Sequence, residues 1–286
     1  MLETAGFTLD GKLPAKGVRA VAFLPEGKLV TAAGTRVQVW DTATHQVVLS
    51  LDHPSQVARL EPAPDGGRLF VVDSDRQGVL YALKDGKPLG QAHFGMQVEC
   101  PPAWSADGKW LAAAMRHNLW DFLAVWDGRT GQPVGERLVS EGVRAIGWSP
   151  SGEELTCWLA RGDLRRLHRQ RSGSYLVGSR SPVPLSDRGS GRFLPGGRLL
   201  ATNSNHELYL WDAATGQPRG ALVALPQGQW LAVSDEGHYR GSPGIEKEIV
   251  YVVQPEAGPQ KVLTPAEFAK KYGWKNDPDK VKLAGN

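Results

Sequence analysis

The stretch Glu207–Ala221, ELYLWDAATGQPRGA, sets the period of the chain, because its parts recur at nearly even distances upstream. Those parts are a short apolar run, Trp211 with Asp212, and Gly216 five residues after the Trp. RVQVWDTATHQVV carries Trp40 and Asp41, and FLAVWDGRTGQPV carries Trp126, Asp127 and Gly131. Two weaker copies fill the gaps. VLYALKDGKPLG places Tyr81 at the Trp position with Gly86 after it, and LRRLHRQRSGSY places His168 there with Gly173. The five structural anchors are thus Trp40, Tyr81, Trp126, His168 and Trp211, separated by 41, 45, 42 and 43 residues. That interval is the length of one four-stranded propeller blade.

A second phrase keeps the same beat. Turns ending in Gly27, Gly66, Gly108, Gly152 and Gly197 recur at spacings of 39, 42, 44 and 45. Pro, Asp and Gly between β-rich runs are hairpin punctuation. The paired turn and Trp-Asp phrases resemble the WD-repeat family over Val18 to Leu225. The resemblance implies an all-β fold, a β-propeller of four-stranded blades. It also implies a buried hydrogen-bond network, in which an Asp six residues before the anchor joins a His near the repeat start. Asp75 and His53 stand at those places in the second repeat; the others have Gly34, Trp120, Gly162 and Asn205.

After Trp211 the next turn Gly, Gly228, comes only 17 residues later, where earlier repeats allow 26 to 29. LVALPQGQWLAVS is therefore expected to end the fifth blade and open another, with HYRGS and EIVYVVQ as further strands. The isolated strand AGFTLDGKL at residues 5–13 would complete it, giving six blades with the last shared by both chain ends and no open edge. The segment EGHYRGSPGIEKEIVYVV resembles a tail that follows WD repeats in some multi-domain bacterial proteins, including ones fused to caspase-like peptidases or kinases. Thr264, Pro265 and Glu267 form a capping box that starts a short helix, and Gly273 stops it. The domain division expected is 1–260 for the propeller and 261–286 for the helix and a loose polar tail.

Composition fits this reading. The 286 residues are 41% hydrophobic, with 34 Gly, 20 Pro and 10 Trp, enough for a sizeable core and many turns. A formal charge of +3 names no partner. Cys100 and Cys157 lie in apolar runs of different repeats and read as buried free thiols. The start, MLETAGFTLDG, has no apolar core of a signal peptide, and no apolar run reaches membrane length, so a cytoplasmic chain without membrane insertion is expected.

Chemistry is sparse. The chain has no nucleophile elbow, phosphate-binding loop or His-Glu-x-x-His pair, and its seven His are scattered. Neither metal nor cofactor is expected. The resemblance points to a non-enzymatic protein-protein interaction scaffold, with another protein as partner. A propeller hydrolase with a central-channel site is the alternative from a different class. Two stretches are candidate partner-binding surfaces. The insertion MRHNLWDF reads as a protruding loop displaying His117 and Trp120. The fourth repeat carries Arg161, Arg165, Arg166, Arg169 and Arg171 against one acid, Asp163. Guanidinium groups so spaced suit carboxylates or phosphates, although alternation on a strand would split them between faces. Nucleic acid is the weakest partner reading, because the run lacks a continuous basic and aromatic surface.

Overall fold

The computed structural model describes residues 16–75, 77–93, 100–117, 120–140, 142–169, 175–182, 190–194, 197–204, 207–255 and 258–283. For residues 91–93, 115–117, 120–121, 135–140, 169, 175–182, 190 and 204 it describes the backbone alone. The described chain packs as two compact units, one within residues 1–141 and 169–175, the other within 142–168 and 176–286.

The first unit holds three antiparallel sheets whose strands pair in sequence order. The first comprises β1 (Ala20–Leu24), β2 (Lys28–Ala33), β3 (Arg36–Asp41) and β4 (Val47–Asp52). The second comprises β5 (Val57–Pro62), β6 (Arg68–Asp73), β7 (Gln77–Ala82) and β8 (Pro88–His93). The third comprises β9 (Ala103–Trp104), β10 (Trp110–His117), β11 (Trp120–Asp127) and β12 (Pro133–Ser140). Alternate residues of a strand face opposite sides, so a sheet with apolar residues on both sides needs a neighbour on each. The second sheet shows this directly. Leu69, Val71, Val79 and Tyr81 pack on Val30, Val37, Val39 and Leu51 of the first sheet. Phe70, Val72 and Leu80, one residue out of phase, pack on Leu111, Ala113, Ala124 and Trp126 of the third. Each fully buried aliphatic side chain contributes roughly 1.5–3 kcal/mol.

The second unit begins with the sheet of β13 (Val143–Trp148), β14 (Glu154–Leu159), β15 (Asp163–Arg169) and β16 (Tyr175–Pro182). Its Ala145, Trp158 and Leu164 meet Phe193, Leu200 and Trp211 of the next sheet. That next sheet has six strands: β17 (Ser190–Phe193), β18 (Leu199–Ser204), β19 (Glu207–Asp212), β20 (Pro218–Ala224), β21 (Trp230–Ser234) and β22 (Tyr239–Gly241). All five turn glycines found in the sequence have positive φ, from 65° at Gly108 and Gly197 to 72° at Gly152. At Gly197 a Cβ would also stand 1.5 Å from the Trp148 carbonyl oxygen, so no side chain fits. His45 takes the place that Gly86, Gly131 and Gly216 fill in other repeats, at φ 58°. An L-residue there costs about 1–2 kcal/mol.

Four of the five anchors occupy one place in the ladder. Trp40 pairs with Leu29, Tyr81 with Leu69, Trp126 with Leu111 and Trp211 with Leu200, and all four are buried. The indoles of Trp40 and Trp211 donate to Thr31 Oγ1 at 2.8 Å and Thr202 Oγ1 at 3.0 Å. In the fourth repeat the equivalent residue is Leu167, which pairs with Leu155 and is buried, not His168. His168 is exposed and stands 3.8 Å from Glu154. A one-residue offset reverses the face, and the apolar residue takes the buried one.

The polar network of the second repeat also differs from expectation. His53 Nδ1 lies 2.9 Å from the Tyr81 hydroxyl and Nε2 lies 3.1 Å from Asp73, with both His53 and Asp73 buried. Asp73 also accepts from the Gln77 N–H at 2.8 Å. Asp75, the acid assigned from the sequence, is exposed in the turn and bonds Ser55. The last residue of β6 points inward, and the turn two residues on points out.

The insertion in the third repeat is not a loose loop. β10 and β11 stay paired out to His117 opposite Trp120, so the added residues lengthen a hairpin. Matched additions on both strands keep the ladder complete.

The C-terminal end departs most from expectation. β21 does not open a separate blade. The connection Leu225–Gln229 is closed by a bond from Leu225 N–H to the Gln229 carbonyl at 2.9 Å, and a link this short folds β21 back beside β20. Tyr251–Val253 (β23) pairs only with Lys261–Leu263 (β24) among the described residues. The strand expected at residues 5–13 lies outside the described residues, so the shared sixth blade is not part of what they form. The helix α1 (Pro265–Tyr272) has the expected capping box at Thr264 and Glu267 and a left-handed Gly273. Phe268 stacks on Tyr251 at 4.2 Å and meets Trp274 edge-on at 5.8 Å. Burial of Tyr251 pushes its phenol up to about 12.

Nor is the chain beyond Trp274 loose. Asn276 accepts from the Tyr239 N–H at 2.8 Å and donates to the Tyr239 carbonyl at 2.9 Å. The Asp277 N–H donates to His238 Nδ1 at 3.1 Å, His238 stacks on Trp274, and Val281 is buried. Polar composition concealed a segment that satisfies an edge strand's backbone.

Two outcomes follow from these contacts. Replacing Asp73 by Ala leaves His53 buried without its acceptor and should cost about 1–3 kcal/mol in urea unfolding, whereas Asp75→Ala should stay within about 0.5 kcal/mol. Equal effects would remove Asp73 from the network.

The second concerns the Trp-Asp turns. Asp41, Asp127 and Asp212 each accept from the N–H groups two and three residues on and from a Thr hydroxyl. At Asp41 the Thr44 N–H chiefly lowers the carboxyl below its ordinary range. At Asp127 and Asp212 burial opposes this, but the N–H and hydroxyl donors, with Arg219 at Asp212, outweigh it. A lowered folded pKa contributes stability above the unfolded value near 4 that disappears as pH falls through the folded one. The Asp127→Asn, Asp212→Asn double variant should therefore show a flatter loss of stability below about pH 4. Acid titration of the melting temperature checks this, and an unchanged slope would count against it.

Candidate functional site

The residues singled out from the arginine run do not converge. On β15, Arg165 pairs opposite Cys157 and Arg166 opposite Thr156, so the two side chains leave opposite faces. Arg166 Nε lies 3.9 Å from Glu154, which also faces His168. Arg161, in the turn before β15, is exposed. The Arg169 side chain and all of Arg171 lie outside the described residues, as do the side chains of His117 and Trp120. Cys100 and Cys157 are buried free thiols. Among the described residues no group of His, Cys, Asp or Glu could hold a metal ion, and no helix is long and apolar enough to cross a membrane.

A different place has the form of a binding site. In the first unit, at the end of the sheets where the Gly turns lie, a cleft of ≈ 810 Å³ opens between the first and second sheets. Its floor includes Leu24, Val39, Leu49, Leu83 and Leu89, and exposed Val48 stands at its side. Charges rim it: Lys28, Arg68, Lys84 and Arg129 against Glu26 and Asp65. The turns of three consecutive repeats supply these residues, because the period returns the same turn to the same end of each sheet.

Two of the rim cations are engaged. Lys28 pairs with Glu26 at 3.3 Å. Arg68 donates to Asp65 at 2.6 Å and to the Gly108 carbonyl at 2.9 Å, and its guanidinium lies 5.3 Å from the Trp104 ring centroid. Burial would raise the Asp65 carboxyl, but the bonds from Arg68 and the Gly67 N–H outweigh it and leave the group lowered. The net positive character of the cleft is thus carried by exposed Lys84 and Arg129. Sequence reading missed this site because its parts are single residues of ordinary turns. A lysine at 84 becomes informative only when Leu49, 35 residues earlier, is seen beside it.

Comparison with known proteins places the fold and the family. The β-propeller domain of Cps50 (Swd1) from Myceliophteria thermophila superposes with a TM-score of 0.54 at 16% identity, covering 77% of this chain and 81% of that one. This likeness bears on the fold alone: the all-β architecture of stacked antiparallel sheets is that of a β-propeller. No curated protein matches the chain. A family model described as outer membrane protein assembly factor BamB matches residues 8–258, nearly the whole described architecture. The chain therefore belongs to the β-propeller family described as outer membrane protein assembly factor BamB.

Proposed function

We propose that the protein is a non-enzymatic interaction scaffold that binds another protein through the cleft between its first and second sheets. The observation that carries this reading is the make-up of the cleft: an apolar floor, a charged rim, and walls built from turns of a rigid repeat. Protein interfaces combine an apolar centre with a polar rim in this way. The family description names a factor in assembly, which supports a protein partner. In this reading the repeats are of WD type, with Trp40-Asp41, Trp126-Asp127 and Trp211-Asp212 as the phrase that holds each sheet and its turn. Catalysis is not required of any of these groups. The hydroxyls of Thr31 and Thr202, the His53–Asp73 pair and the turn carboxylates each serve a neighbouring strand or turn. The arginine run is the less favoured surface, because the pleat of β15 separates Arg165 from Arg166.

Photocrosslinking separates these surfaces. A benzophenone side chain at position 48 should form an adduct with a protein of defined mass, and Lys84→Glu should abolish it while leaving the melting temperature unchanged. Adducts obtained from position 161 and none from position 48 would move the binding site to the basic strand.

A further inference from the structure

The outer edge of the fifth sheet is covered by a strand of the chain itself, whereas at the equivalent edge of the first sheet no strand pairs among the described residues. In the fifth sheet β20 carries β21 on its outer side, with Ala221 opposite Val233 and Val223 opposite Leu231. The bond from Leu225 N–H to the Gln229 carbonyl fixes the parity of that ladder, so the amides of Ala221 and Val223 are those that meet β21.

The first sheet has the same inner ladder. Leu49 pairs with Val39, the residue before Trp40, as Gly220 pairs with Leu210, the residue before Trp211. Ser50 and Asp52 therefore correspond to Ala221 and Val223. The bond from His53 N–H to the Thr35 carbonyl at 2.8 Å confirms the parity, because it makes Val37–Leu51 and Val39–Leu49 the pairs bonded to β3. The amides and carbonyls of Ser50 and Asp52 point away from β3. Among the described residues no strand pairs there.

Two apolar side chains next to this edge are exposed. Val47 and Val48 are 39% and 55% exposed. The outer strands β8, β12 and β20 begin with Pro88, Pro133 and Pro218, and β4 has Val47 at that place. A proline there withholds one edge N–H, and in the fifth sheet the added strand starts to pair only at Gly220, beyond it. Beside β4 lies the cleft, with Leu49, Leu83 and Leu89 in its floor and the charges of Lys84 and Arg129 at its rim.

We infer that β4 is an acceptor edge, onto which an extended segment of a partner protein, alternating acidic with β-branched apolar side chains, adds as an antiparallel fifth strand. Main-chain bonds to Ser50 and Asp52 supply the pairing, and the side chains on the cleft side select the partner. The acidic ones meet Lys84 and Arg129, and the apolar ones lie against Val48 on the outer face. This rests on the scaffold reading only in taking the ligand to be a protein.

The probe is a fluorescein-labelled synthetic peptide of about ten residues alternating Glu with Val, compared with one alternating Lys with Val. Fluorescence anisotropy with the full chain should show binding of the first peptide alone, weakened by salt. Ser50→Pro removes an N–H that β3 does not use and should weaken binding about tenfold or more at unchanged melting temperature. The Lys84→Gln, Arg129→Gln double variant should weaken it and flatten the salt dependence. Hydrogen exchange on the unaltered protein decides the matter even if Ser50→Pro does not fold, because the peptide should slow the Ser50 and Asp52 amides selectively.

Equal binding of both peptides, full binding to a folded Ser50→Pro variant, or protection elsewhere would overturn the inference. A concentration-dependent dimer lost in Ser50→Pro would overturn it too, by assigning the edge to a second copy of the chain. If the peptide does not bind and adducts still form at position 48, strand addition fails and the scaffold reading stands. Without either, both fail.

Discussion

A sheet that is apolar on both sides is stable only between neighbours, and this requirement governs the whole chain. In the second sheet Leu69 and Val71 need the first, while Phe70 and Val72 need the third. Neither set can be served by turning the strand over, since the other would then face water. The consequence is a repeat whose members stack rather than fold singly. Its energetics are local: the second sheet answers to the first and the third, and the fourth to the fifth.

Polar groups secure the position of that stack rather than its existence. The indole of Trp211 lies on the buried face for its apolar area, and Thr202 satisfies its one N–H. Tyr81 reaches the same end differently, through His53 and Asp73. The fourth repeat dispenses with a polar handle and uses Leu167. One ladder position thus accepts Trp, Tyr or Leu. The turn that follows varies as well: Asp41, Asp127 and Asp212 each collect two N–H groups, whereas Ala82 holds that place in the second repeat and its carbonyl accepts from the Gly86 N–H.

Stacking satisfies faces and leaves edges. The fifth sheet answers its outer edge with β21 and β22, and the segment around Asn276 in turn satisfies the backbone at Tyr239. Among the described residues the first sheet ends at β4, beside a cleft with a charged rim. Open edges are hazards for an isolated domain and opportunities for one that binds. The same geometry that makes a sheet depend on its neighbours leaves the backbone groups of its outermost strand unpaired by that stacking.

The period, the turn glycines and four of the anchors were legible in the sequence because they follow from local rules. A positive φ favours Gly at positions 27, 66, 108, 152 and 197, and an aromatic recurring with a turn marks a strand end. The capping box at Thr264 is equally local. What the tertiary structure decided were matters of parity and proximity. Leu167 rather than His168 is the buried residue, and Asp73 rather than Asp75 meets His53, because one step along a strand reverses its face and no symbol in the sequence marks which face is inside. Whether Trp230–Ser234 opens a new sheet or extends an old one depended on which backbone groups were left to pair with it. The cleft was invisible for the same reason. Leu49, Leu83 and Arg129 are distant in the chain, and only the stacking of three repeats gives them a common wall.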